Sequence, residues 1–176
     1  MENILINLYH IGDTGPGGGI VFYRSAKGFT DTYSGKTYHY LEAAPIDVGT
    51  LPWVSSVYDD SFISGTGIAI GTGRKNTDAI IKYVSDDLGT PSSDCPAAYA
   101  CIQYASGGKN DWFLPSIDEL NELYKQRNIF GNFQFDLYWS SSEDSNTIAY
   151  AYHFNTGNYS HIIKIQPYYV RPIRSF

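Results

Sequence analysis

The chain is poor in charged residues, has little cysteine and contains no long hydrophobic run. Charged residues make up 17% of its 176 positions, and acidic groups outnumber basic ones to give a net charge of −6. Nucleic-acid binding depends on clustered Lys and Arg that displace counterions, so this composition argues against a nucleic acid as partner. No apolar run approaches the roughly 20 residues of a membrane span, and we expect no membrane insertion.

Only two cysteines are present, Cys95 and Cys101. They are too few for a disulfide framework, and their spacing matches no zinc site. Residues six apart on a continuous helix point in different directions, which favours two buried thiols over a disulfide. The opening stretch MENILINLYH lacks the basic start and the apolar core of a signal peptide, so the sequence leaves the compartment open.

What the chain has in abundance is tyrosine: there are 16, and aromatic residues reach 16% of the total. With 43% hydrophobic residues, disorder is excluded, and the length suits a single domain over residues 1–176, with residues 1–10 as an N-terminal extension. With so few charged groups, the surface must carry many uncharged polar and tyrosyl side chains. This composition is typical of a binding surface.

Two helices are predicted in the middle of the chain. In NTDAIIKYVSDDLG, Asn76 or Thr77 can cap the start, apolar residues recur to Leu88, and Gly89 is placed for a left-handed C-cap. In LPSIDELNELYKQRN, Ser116 and Glu119 form a capping box. A shorter helix is expected between them, starting at Asp94 with Pro96 in its first turn.

Strand-type segments lie on either side of these helices. GGGIVFY (17–23) and TYHYLEAAP (37–45) precede them, while LYWSSS, TIAYAYHF and YYVRPIRSF follow. NYSHIIKIQPYY (158–169) shows no clean periodicity, which suggests a displayed surface instead of a regular strand. Helices in the middle with strands at both ends predict the α+β class.

Familiar catalytic and metal sites do not match the sequence. The glycine-rich GDTGPGGGI lacks the Lys-Ser/Thr pair of a phosphate-binding loop, and the serines 140–142 lack a nucleophile-elbow motif, which disfavours a hydrolase. No histidine pair has metal-ligand spacing, and Glu143 and Asp144 suit a solvated turn better than a calcium loop. We expect no catalytic residue, no cofactor and no metal, with Trp112 and Trp139 in the core.

Six ordered motifs, from Ile11 to Phe176, resemble the domain of unknown function 1566 family, also called the Legionella collagen-like protein C-terminal domain. They are IGDTGPGGGIVFY, YLEAAP, GTGRKNTDAII, GGKNDWFLPSIDELNELYKQ, YWSSSE and YVRPIRSF. The resemblance implies a C-type lectin fold of the formylglycine-generating-enzyme type, with two main helices flanking a small twisted antiparallel sheet in which the first and last strands are adjacent. It implies neither oxidase activity nor a calcium-bridged sugar site, because the copper-binding cysteines near the C-terminus and the calcium-binding triplet are missing.

The family includes the variable proteins of diversity-generating retroelements, in which adenines near the 3′ end of the gene are randomised. Asparagine-based template codons then never yield Lys, Gln, Glu, Met or Trp, and residues 147–163 contain none of these. The resemblance implies that Lys164 and Gln166 are framework. It also implies a variable binding set that consists of Ile148, Tyr150, Tyr152, His153, Tyr159, His161, Ile162, Ile163, Ile165 and Tyr168.

Three functions follow as hypotheses. The first is a non-enzymatic binding protein with a diversified surface, exposed on a cell or a virion, for an unknown protein or surface ligand. The second is an undiversified surface adhesin for glycans or matrix polymers, and the third is an enzyme. Against the first stands a core interpretation, because Ile148, Tyr150, Tyr152 and Phe154 have the period of an inward strand face; we assign Phe154 alone to the core.

Overall fold

The computed structural model describes residues 8–176, in which eight strands form two sheets and five helices occupy the middle of the chain. The α+β class is confirmed. Of the predicted N-terminal extension, residues 1–10, the first seven residues lie outside the described range. The helices are α1 (Gly73–Asp86), α2 (Pro91–Asp94), α3 (Pro96–Gln103), α4 (Ile117–Lys125) and α5 (Arg127–Phe130). The strands are β1 (Ile20–Thr30), β2 (Thr37–Ala43), β3 (Gly49–Pro52), β4 (Leu137–Glu143), β5 (Ile148–His153), β6 (Tyr159–Ile163), β7 (Pro167–Val170) and β8 (Ile173–Ser175).

The first sheet has the order β1-β2-β8, and both of its strand pairs are antiparallel. The expectation that the first and last strands are adjacent is therefore wrong. β2 lies between them, because one of its edges pairs with β1 in a hairpin and the other receives β8, with Leu41 opposite Ser175. β1 and β8 thus belong to the same sheet but do not pair with each other.

The second sheet has the order β3-β7-β4-β5-β6. It is not wholly antiparallel as expected, because β7 runs parallel to β4 through the pair Tyr138 and Tyr169. β3 was not predicted, since GTLP has little strand character of its own; its partner β7 stabilises it. The predicted strand YYVRPIRSF is split at Arg171 and Pro172, so that β7 and β8 join different sheets.

Helix α1 starts and ends differently from the prediction. Its N-cap is Thr72, which makes no side-chain cap, while Asn76 and Thr77 are buried inside the helix. At the other end Leu88, not Gly89, takes the left-handed conformation with φ of 61°. The Gly89 N–H donates to the Val84 carbonyl at 2.8 Å, as in a Schellman motif, and Leu88 is left 95% exposed.

Helix α4 begins as predicted. The Ser116 hydroxyl accepts from the Glu119 N–H, and the Glu119 carboxylate accepts from the Ser116 N–H, which completes the capping box. The shorter helix predicted between α1 and α4 is α3, with Pro96 in its first turn as expected, but its N-cap is Cys95 and not Asp94, because Asp94 ends the separate short helix α2. Cys95 and Cys101 are buried free thiols, and Trp112 and Trp139 are buried in the core.

The glycine-rich loop 15–19 encloses a carboxylate of the protein itself. The N–H groups of Gly17 and Gly19 each donate to Glu42 at 2.8 Å, and Arg174 pairs with the same side chain at 2.7 Å. A Cβ on Gly17 would lie 2.9 Å from the Glu42 carboxylate, so the loop needs glycine for this close approach. The loop thereby ties β1 to β2 and β8.

Candidate functional site

The β5–β6 hairpin places a group of bulky side chains on one surface. The strands pair antiparallel from Ile148–Ile163 to Tyr152–Tyr159, and neighbouring side chains alternate between the two faces of a strand. Three cross-strand pairs therefore share one face, while Ala149 and Ala151 point into the core. This face, called the hairpin face below, consists of Ile148, Tyr150, Tyr152, Tyr159, His161 and Ile163.

Half of the hairpin face is open to solvent. Tyr159 is 59% exposed, Ile163 is 50% exposed, and His161 is also exposed, whereas Ile148 and Tyr150 are half-buried. Exposure alternates cleanly along β6. The inference from the sequence that this segment is not a regular strand was therefore wrong. Isoleucine occupies both an inward and an outward position of β6, so the alternation of exposure cannot be recognised from residue type. Ile148 and Tyr150 are only half-buried, although Tyr150 packs at the edge of the core cluster that contains Phe154, and Phe154 is buried as assigned.

Tyr152 is the exception on this face, since it is only 6% exposed and the expectation that it would be exposed is wrong. Its ring lies 5.2 Å from that of Tyr124 on α4. Its hydroxyl lies 2.8 Å from both the Asn121 side-chain oxygen and the Gly157 carbonyl. Tyr152 thus joins α4 to the hairpin turn and forms the floor of the site.

Four residues of the predicted set do not belong to the hairpin face. Ile162 points inward and packs on the core, and Tyr168 on β7 packs edge-on against Trp139. His153 is half-buried on the inward side of β5, and its Nδ1 has no hydrogen-bond partner among residues 8–176. Ile165 is exposed but follows the end of β6. Strand alternation separates the first three residues from the site.

The exposed rings contact one another and a carboxylate. Tyr150 and Tyr159 have centroids 5.8 Å apart at an interplanar angle of 71°, and the His161 ring lies 4.9 Å from Tyr150. Asp144 accepts from the Tyr150 hydroxyl at 2.9 Å and lies 3.0 Å from His161 Nδ1. The bond to His161 lowers the pKa of Asp144, and the bond to Asp144 raises the pKa of Tyr150. Asp144 therefore fixes the orientation of two rings.

An open groove of about 430 Å³ separates the hairpin face from the start of α4. Tyr150, Tyr152 and Tyr159 line one side, and Ile117, Asp118 and Asn121 line the other. Sequence reasoning missed the α4 side. In the sequence Asp118 is only an acidic residue near the start of a predicted helix, and no local pattern indicates that the hairpin packs beside it.

Groups considered for chemistry from the sequence have structural partners. The Ser140 hydroxyl donates to the Tyr150 carbonyl, and the Ser142 hydroxyl donates to the Gly67 carbonyl. Glu143 is not in a solvated turn; its buried side chain pairs with Lys164. Within residues 8–176, no group of three His, Cys, Asp or Glu side chains could hold a metal ion. No helix in this range is long and apolar enough to cross a membrane.

The family model of the Lcl C-terminal domain matches residues 53–174, which is well over half of the chain. The chain belongs to this family. The matched range of the Lcl C-terminal domain includes the whole hairpin face and both walls of the groove. No curated protein matches the sequence.

A solved structure has a similar fold. It is a fimbrial protein from Bacteroides ovatus ATCC 8483, with a TM-score of 0.58 and 15% sequence identity. The alignment covers 92% of this chain and 45% of that chain, so the Lcl C-terminal domain protein corresponds to less than half of the fimbrial protein's length. At this identity the likeness concerns the fold alone.

Proposed function

We propose that this protein is a non-enzymatic binding protein whose ligand site is the hairpin face with its groove. The observation that carries the proposal is the ring cluster beside the groove, in which the exposed Tyr159 and His161 contact the half-buried Tyr150. Tyrosine supplies a large contact area at low conformational cost, which is why it is enriched in binding sites. A hairpin held from below by Tyr152 presents these rings on a rigid base.

The finer form of the proposal is a variable protein of a diversity-generating retroelement on a C-type lectin scaffold. Support comes from the division of residues 147–163 into outward positions with bulky side chains and inward positions such as Ala149 and Ala151, which pack in the core. Lys164, interpreted as framework, follows the segment directly and is fully buried. Exposed outward positions such as Tyr159 and Ile163 can change without changing the fold.

The neighbouring DNA tests this form. We expect a near-copy of the 3′ end of the gene beside a reverse-transcriptase gene, with differences mainly at adenines in the codons of the hairpin face. A gene neighbourhood without either feature removes the retroelement role. The ligand site itself is tested separately by binding.

The alternative is an undiversified surface adhesin. It is supported by the similarity of fold to a protein described as fimbrial. In that case a glycan or a matrix polymer would be bound, and the bound surface need not be the hairpin face. A glycan-array signal that survives substitution of the hairpin face would favour this alternative.

A binding experiment separates these proposals. Ligands are selected from a random peptide display library and from a glycan array with the unmodified protein, then measured against the triple variant Tyr150→Ala/Tyr159→Ala/His161→Ala. Loss of contacts of this kind is expected to reduce affinity at least about tenfold. Tyr33→Ala is the control, since Tyr33 is 49% exposed and lies outside the site. Ligands that bind the triple variant as tightly as the unmodified protein would place the site elsewhere.

A further inference from the structure

The aromatic wall of the groove has the form of a corner instead of a flat platform. Tyr150 and Tyr159 meet at 71°, and Tyr152 lies beneath them as the third tyrosine of the lining. The faces of such rings carry negative electrostatic potential, which attracts a cation placed over them. A flat sugar ring would prefer one open face, which this corner does not offer.

The opposite wall carries an unpaired carboxylate. Asp118 lies in the first turn of α4, and its side chain has no hydrogen-bond or ion-pair partner among residues 8–176. Desolvation and the nearby Glu122 raise the pKa of Asp118. The charge of Lys125 acts on Asp118 in the opposite direction, but the Lys125 ammonium is bonded to Glu122 at 2.6 Å. The positive end of the helix dipole favours the charged form of Asp118.

Three of the other polar groups along the groove already have partners. The Tyr152 hydroxyl and the Asn121 side-chain oxygen are bonded to each other, and the Tyr150 hydroxyl is bonded to Asp144. A glycan needs several converging donors and acceptors to replace its lost water. A cation needs only a carboxylate and ring faces, and Asp118 and the tyrosines supply both in the groove lining.

We propose that the groove binds a positively charged side chain, arginine or lysine, of a partner protein. The proposal rests on the hairpin face being the ligand site and specifies what that site recognises. No Lys or Arg lines the groove, and the net charge of −6 favours the approach of a cationic partner. The cation lies between Asp118 and the corner formed by Tyr150 and Tyr159.

The test compares two small probes of nearly the same shape, Nα-acetyl-arginine methylamide and its neutral citrulline analogue. Both are titrated into the isotope-labelled protein, and binding is followed from the backbone amide signals of Gly157, Asn158 and Tyr159. We expect the arginine probe to bind about tenfold more tightly than the citrulline probe. Asp118→Asn should reduce this ratio to below about twofold, and the control Asp86→Asn, an exposed carboxylate on α1, should leave it unchanged.

The possible outcomes separate the two proposals. Equal binding of both probes in the groove overturns charge recognition but leaves the hairpin face as a ligand site. Failure of the arginine probe to shift these signals, or binding of neutral methyl glycosides there instead, also overturns charge recognition. A hairpin-face variant that keeps every selected ligand overturns the proposed function itself.

Discussion

The Lys164 ammonium and the Glu143 carboxylate form an ion pair that is closed to solvent, since their side chains are 0% and 1% exposed. Lys164 also donates to the carbonyl oxygens of Ser61 and Asn146. Burial lowers the pKa of Lys164 and raises the pKa of Glu143. Glu143 is the last residue of β4 and Lys164 directly follows β6. The ion pair therefore links the two ends of the segment that carries the hairpin face.

Removal of the ammonium should be costly. Lys164→Met leaves Glu143 as a buried charge without its partner, and we expect a loss of about 3–5 kcal/mol in the free energy of unfolding. Urea denaturation provides the measurement. Lys82→Met serves as the control, because its partner Asp86 is exposed and such a pair contributes about 0–1 kcal/mol. Equal losses in the two variants would contradict a stabilising role for the buried pair.

Stability should also depend on pH through Glu119. This carboxylate is fully buried and accepts from the N–H groups of Gly71 and Ser116 at 2.8 Å, while burial raises its pKa to about 7. In the unfolded chain the Glu119 carboxyl ionises near its ordinary pKa of 4.5, whereas in the folded protein it ionises only near pH 7. The contribution of Glu119 to stability is therefore complete below pH 4.5 and is lost as the pH rises to about 7.

The free energy of unfolding measured from pH 4 to pH 8 checks this dependence. A pKa difference of this size corresponds to a loss of about 3 kcal/mol across the window. Glu119→Gln can still form a capping box but cannot ionise, so it should remove this part of the slope even if it shifts the whole curve. Curves of identical slope for the two proteins would exclude Glu119 as the titrating group.

The hairpin turn depends on Gly157. Its φ is +78°, and an added Cβ would lie 2.6 Å from the Tyr124 hydroxyl on α4. Gly157→Ala should therefore displace the turn from α4 and cost more than the roughly 1–2 kcal/mol of left-handed strain alone. Gly35→Ala isolates that strain, because Gly35 has a φ of +71° with open space around it. Thermal unfolding of both variants should show a larger loss for Gly157→Ala.

The parts of the fold that were predicted correctly depend on local chemistry. The Ser116–Glu119 capping box starts α4 because both partners lie within one turn. By contrast, it is the exposed Leu88 and not Gly89 that takes the left-handed conformation after α1. What Gly89 faces was not predictable from local sequence, because an added Cβ there would lie 2.4 Å from the hydroxyl of the distant Tyr58. β3 is likewise a strand only because β7 pairs with it.

The candidate site follows the same division. The cross-strand pairs of the hairpin face arise from an alternation visible in TIAYAYHF, and the segment was predicted to carry the binding residues. The burial of Tyr152 was not predictable, because its partner Asn121 lies 31 positions earlier on α4. The groove exists only where these two segments meet, and Asp118 enters the site by the same contact.

A surface that can vary must tolerate substitution, which gives the last prediction. Tyr159 and Ile163 are at least half exposed, so Tyr159→Ser and Ile163→Asn should change the free energy of unfolding by no more than about 0.5 kcal/mol each. Ala151 is fully buried in the core between β4 and β6, and Ala151→Val should cost about 1–3 kcal/mol through overpacking. Urea denaturation of the three variants gives the comparison. A loss for Ile163→Asn as large as that for Ala151→Val would show that the outward positions support the fold, and the diversified-surface proposal would lose its structural basis.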